Sequence, residues 1–109
     1  MARLSQFDSA TIVAGGKVRV TGPAGDAHGQ PPHPAKTPVH FAIVRGDHVL
    51  RGTGWWSGEH WSGVSDDAAD GLTAGPARAY ALEVRFWNDE TSGGYQTYAW
   101  AQAIDLETT

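Results

Sequence analysis

The sequence predicts an all-β domain: seven short antiparallel strands packed as a sandwich of two sheets. Three observations lead there. Apolar and polar residues alternate with a period of two in one segment after another, as half-buried strands require. Helical periodicity is nearly absent, and the most helix-like run, Ala68-Ala69 within SDDAADGL, is stopped at Gly71. The 109 residues also carry 14 glycines and 6 prolines, which cut the chain into short runs separated by turns. At this length one domain spanning residues 1–109 is expected.

Each strand has its own justification. The first lies within Phe7–Val13 and is ended by Gly15-Gly16. The second, Lys17–Thr21, sets Val18 and Val20 on one face against Lys17, Arg19 and Thr21 on the other, and Gly22-Pro23 stops it. The loop that follows, AGDAHGQPPHPAKTP, holds too much proline and glycine to sustain a ladder. Val39–Val44 resumes the alternation, with Val39, Phe41 and Ile43 on one face. Gly46-Asp47 is read as a two-residue hairpin turn, and Val49–Trp56 returns along the third strand. Gly58-Glu59 is read as a second such turn, because glycine in first place suits type II′, and Trp61–Ser65 becomes its partner.

DDAADGLTAGPA then carries the chain to its longest strand, Arg78–Trp87, where Tyr80, Leu82, Val84 and Phe86 alternate with Ala79, Ala81, Glu83 and Arg85. NDETSGG makes the last turn. In the final strand, Tyr95–Leu106, the residues Tyr98, Trp100, Gln102, Ile104 and Leu106 share a parity opposite small alanines. Glu107–Thr109 reads as a polar tail.

Leu72-Thr73-Ala74-Gly75-Pro76-Ala77-Arg78-Ala79-Tyr80 is a leucine and a glycine followed by alternating small and aromatic residues. It resembles the turn that leads into the sixth strand of bacterial immunoglobulin-like domains. With the order and spacing of the strands, the chain is similar as a whole to an immunoglobulin-like or fibronectin type III-like sandwich. Tyr80 falls later than a tyrosine corner would place it, and the intersheet cysteines are missing. The resemblance concerns architecture and names no function. It implies that residues 22–38, 57–60 and 88–94 share one end of the domain. His28, His33, Glu59, His60, Asp89 and Glu90 would then gather beside the tryptophan-rich hairpin.

Composition removes several function classes. The chain has no cysteine, which excludes disulfides, thiolate metal sites and a cysteine nucleophile. A net charge of −4 with only Lys17 and Lys36 for lysines offers no basic patch, so neither nucleic acid nor an anionic membrane is an expected partner. No segment approaches the roughly 18 apolar residues of a membrane span, and the N-terminus lacks the apolar run of a signal peptide. A natural start at Met1 implies the cytoplasm; an excised domain implies an extracellular setting.

The chemistry worth weighing centres on GWWSGEHWSG, residues 54–63, which holds three of the five tryptophans. With Gly58-Glu59 as the turn, Trp56 faces Trp61 and Trp55 faces Ser62, so Trp55 points to the opposite side, with Val49, Thr53 and Val64. Two readings follow. In one, Trp55 belongs to the core and the Trp56/Trp61 pair shields the hairpin. In the other, Trp56 and Trp61 form a solvent-facing platform for a sugar ring or an apolar side chain, with His60, Glu59, Trp87 and Trp100 adjoining it.

The five histidines lack the short spacings of metal motifs, but the proposed loop end would bring His28, His33 and His60 together as metal ligands beside Glu59. Asp66, Asp67 and Asp70 miss the ligand spacing of a calcium loop and read as a solvated turn. Arg45-Gly46-Asp47 spells a short integrin-binding tripeptide, but Gly-Asp is also what a hairpin turn requires. No nucleophile elbow or phosphate loop occurs. The expectation is a non-enzymatic binding or structural module without a cofactor, its partner a protein, a carbohydrate or a second copy joined through edge strands. The alternatives are a carbohydrate-binding module using Trp56 and Trp61, and a metal-dependent enzyme using His28, His33 and His60.

Overall fold

The computed structural model describes residues 7–22, 38–57, 60–87 and 94–108. It contains seven strands: β1 (Ser9–Val13), β2 (Lys17–Thr21), β3 (Pro38–Arg45), β4 (His48–Ser57), β5 (His60–Ser65), β6 (Gly75–Trp87) and β7 (Gly94–Thr108). Every strand lies where the alternation places it. Some ends differ by a few residues: β6 begins three residues before Arg78, and the expected polar tail belongs to β7 through Thr108.

The two-sheet sandwich is not what forms. The strands close into one barrel in the order β1-β2-β5-β4-β3-β6-β7. As the Gly46-Asp47 hairpin reading expects, β3 and β4 pair without interruption from Arg45↔His48 to Pro38↔Trp55, which joins in one wall two strands that an immunoglobulin-like sandwich divides between its sheets. The wall closes where β1 runs parallel to β7 through Ala10↔Leu106, Thr11↔Glu107 and Ile12↔Thr108. The residues read as a tail therefore form the closing pair.

Small inward-facing residues make such tight closure possible. Following the register from strand to strand, Gly52, Gly54, Gly63, Ala77, Ala79 and Ala81 all face the interior. Larger groups fill the space they leave, as the taper of a small barrel requires. Among the described residues the buried apolar set is Phe7, Val18, Val20, Val39, Phe41, Ile43, Leu50, Trp61 and Leu106 together with alanines 10, 77, 79 and 81. Of the two faces of β6, the alanine face turns inward, and Tyr80 and Leu82 are left on the outside.

The tryptophan hairpin has the expected register, Ser57↔His60, Trp56↔Trp61 and Trp55↔Ser62. Its faces correct both readings made from the sequence. Trp61 is fully buried, edge-on to Phe7 at 5.1 Å between ring centroids and tilted against Phe41 at 6.3 Å. Trp55, read as core on one account, is 50% exposed. The cause is parity. Trp61 shares the inward phase of Ser65, while Trp55 has the parity opposite to the inward Gly52 and Gly54. Gly54 makes room for the Trp61 ring: a Cβ there would lie 2.7 Å from Cε3.

At the opposite end, the segment 66–74 fastens onto two turns. Ala69 N–H donates to the Gly16 carbonyl at 2.9 Å. Arg45 donates to the carbonyls of Thr73, Ala74 and Pro76 and to the Thr73 hydroxyl, at 3.0–3.2 Å. The arginine of the Arg45-Gly46-Asp47 tripeptide is thus committed to holding the β5–β6 connection. Inside the wall, the Ser65 hydroxyl accepts from Val18 N–H at 2.9 Å and donates to the Asp67 carbonyl at 2.7 Å.

Candidate functional site

Because the pleat alternates, burying the alanines of β6 turns its larger residues outward. Register then assembles two rows across the outer wall: Thr53–His40–Leu82–Ala99 and Arg51–Ala42–Tyr80–Ala101. Together they line a groove of about 820 Å³, open to solvent, with Asp66 and Asp67 at its border. Ala42, Ala99 and Ala101 keep the floor low. Tyr80 and Leu82, each 43% exposed, stand above it.

The polar groups lie on the β4 side. Arg51 gives Asp67 Oδ2 two hydrogen bonds, one from its backbone N–H and one from Nε, both 3.0 Å. In return, the Arg51 carbonyl accepts from the N–H of Asp66 at 2.8 Å and of Asp67 at 3.3 Å. The side-chain bond from Arg51, then its backbone bond, hold the Asp67 carboxyl below the usual carboxylate range. The same side-chain bond raises the Arg51 guanidinium further. Both side chains are solvated, so the pair fixes the direction of the loop more than it stabilises the fold. Nearby, His40 Nδ1 lies 3.5 Å from the Thr53 hydroxyl. The groove thus offers an apolar wall at one side and paired donors and acceptors at the other.

The residues singled out from the sequence do not assemble into one site. Trp61 is enclosed in the core and has no face to offer a ligand. Trp100 is partly buried against the core, and its Nε1–H donates to Gln102 Oε1. His60 is exposed at the start of β5. Trp56 and Trp87 have their backbones in β4 and β6, and their side chains lie outside the described set. Glu59, His28, His33, Asp89 and Glu90 lie outside the described residues. Among the described residues, no three His, Asp or Glu side chains gather as metal ligands. Asp67, read as part of a solvated turn, instead closes the ion pair with Arg51.

Tyr80, Leu82, His40 and Arg51 were not singled out as site residues. The signal for Tyr80 and Leu82 was present in the alternation of β6, where assigning the alanine face to the interior puts the large residues outside. Nothing in the sequence pairs Arg51 with Asp67, because that contact depends on how the 66–74 segment folds back. No protein-family model, no curated protein and no solved structure matches the chain.

Proposed function

We propose that this protein is a non-enzymatic binding module whose ligand surface is the outer wall formed by β4, β3, β6 and β7, and that the ligand is a protein segment presenting an apolar side chain. The observation that carries the reading is the exposure of large apolar residues on this wall. Val49, Trp55, Tyr80 and Leu82 are 53, 50, 43 and 43% exposed. Tyr80 and Leu82 flank a groove with room for a side chain, and Arg51, Asp67, His40 and Thr53 supply a polar margin. An apolar centre with a polar rim is the usual anatomy of such a surface.

Panning a displayed peptide library on the purified protein tests this. Selected peptides should carry an aromatic or aliphatic anchor, and the Tyr80→Ser/Leu82→Ser double variant should bind them at least about tenfold more weakly, the loss expected of a hot-spot pair. No enrichment, or binders indifferent to the double variant, would sink the proposal. A carbohydrate reading is favoured by one separate feature: Trp55 offers a half-exposed ring opposite the small polar Ser62. It replaces Trp61, which is buried, as the stacking residue. A glycan array compared with Trp55→Ala separates the two readings, since the peptide reading expects no glycan signal sensitive to that change.

A further inference from the structure

The groove on the outer wall is charged unevenly, and the imbalance bears on what kind of peptide fits it. Register carries the row Arg51–Ala42–Tyr80 onto the 66–74 segment: Gly52 pairs with Ser65, and the Arg51 carbonyl accepts from the next N–H, that of Asp66. Asp66, Arg51, Ala42 and Tyr80 therefore follow one another across the wall.

Two carboxylates, Asp66 and Asp67, and one guanidinium, Arg51, line the groove. Arg51 is committed to Asp67, whose Oδ2 takes both its backbone N–H and its Nε. Asp66 is exposed, and among the described residues its carboxylate has no hydrogen bond or ion pair. The turns at this end, 14–16 and 46–47, and the whole 66–74 segment belong to those residues. Beyond the apolar wall the sign changes. Arg78 is exposed two residues before Tyr80, in the row Val44–Arg78–Ala103, outside the groove. A cationic group is thus drawn to the Asp66 side and turned away from the β6 side. The net charge of −4 favours cations at long range as well.

We propose that the ligand is a basic peptide segment: an aromatic or aliphatic residue seated over Ala42 against Tyr80 and Leu82, with a lysine or arginine two residues away reaching Asp66. This rests on the groove reading and narrows it. The spacing follows from strand geometry. From Ala42 to Asp66 the wall advances by two strands, about 10 Å. Side chains i and i+2 of an extended peptide share a face about 7 Å apart, and the long stem of lysine or arginine covers the remainder. Adjacent residues point to opposite faces and cannot reach both places.

Peptide selection on the full chain and on charge variants tests this. A displayed random library panned on the parent should return anchored peptides enriched in lysine or arginine two positions from the anchor, and their binding should weaken as salt rises. On Asp66→Lys that enrichment should disappear, and the parent-selected peptides should bind at least about threefold more weakly. Asp66→Asn should act in the same direction with a smaller effect. Asp66 meets Arg51 only through its backbone, so circular dichroism and Tm of both variants should match the parent. Glu107→Lys makes the same change in net charge as Asp66→Lys, but in the β1–β7 seam, and should leave the preference intact. Peptides that depend on Tyr80 and Leu82 yet lack a basic residue, or keep it on Asp66→Lys, would overturn the charge rule and leave the groove reading standing. An equal loss with Glu107→Lys would overturn it too, as attraction by net charge alone. If no peptide is sensitive to Tyr80→Ser/Leu82→Ser, the groove reading and this inference fall together.

Discussion

Trp61→Ala is expected to cost about 3–5 kcal/mol, the range for removing a buried large aromatic, out of about 5–15 kcal/mol for a whole domain. Among the described residues Trp61 is the largest fully buried side chain, and it holds two aromatic neighbours from different parts of the chain. Phe7 precedes β1, and Phe41 lies in β3. Removing the indole leaves a cavity that the neighbouring strands cannot close, because their hydrogen-bonded ladders fix the radius of the barrel. In urea, the transition midpoint should fall sharply, or the variant should be unfolded without denaturant. A midpoint close to the parent's would mean that the ring is not the centre of the core.

The second large effect is expected at a residue with no side chain. A Cβ on Gly22 would lie 1.6 Å from Trp61 Nε1 and 2.0 Å from Cδ1, distances no side chain can tolerate. Gly22 N–H also donates to the Trp61 carbonyl at 2.7 Å, so the backbone cannot move away without breaking that bond. Gly22→Ala should therefore destabilise at the upper end of the range for overpacking, about 1–3 kcal/mol or more. The cause is the ring, and this can be isolated. In a Trp61→Leu background the cost of Gly22→Ala should shrink, giving a coupling energy of about 0.5–3 kcal/mol in a double-mutant cycle. Strict additivity would assign the glycine some other role.

The strands were legible because period-two alternation is a local property, and turn residues interrupt it at each boundary. The hairpin registers were legible for the same reason: a two-residue turn leaves no freedom once its position is known. Closure was not legible. Whether β1 and β7 meet depends on how sharply the wall can curve, and that was set by glycines and alanines whose inward phase is silent in a hydrophobicity pattern. The tryptophan faces failed through the same cause. Trp55 and Trp61 are equally apolar, and only the phase of neighbouring small residues decides which is enclosed. The groove followed the same logic in reverse, since Tyr80 and Leu82 look like core residues until the alanines between them are seen to fill that place.

The parallel seam also bears on the order in which the molecule assembles. It joins Ala10 to Leu106, 96 positions apart (106 − 10), whereas the β3–β4–β5 ladders close over turns of two residues. Loop-closure entropy delays contacts of long sequence separation until much of the chain is already ordered. The hairpins therefore form early and the seam zips last, and a weakening substitution at Leu106 shows itself in faster unfolding, with the folding rate little changed. A barrel built this way has a preferred line of rupture, and it runs between the chain's first strand and its last.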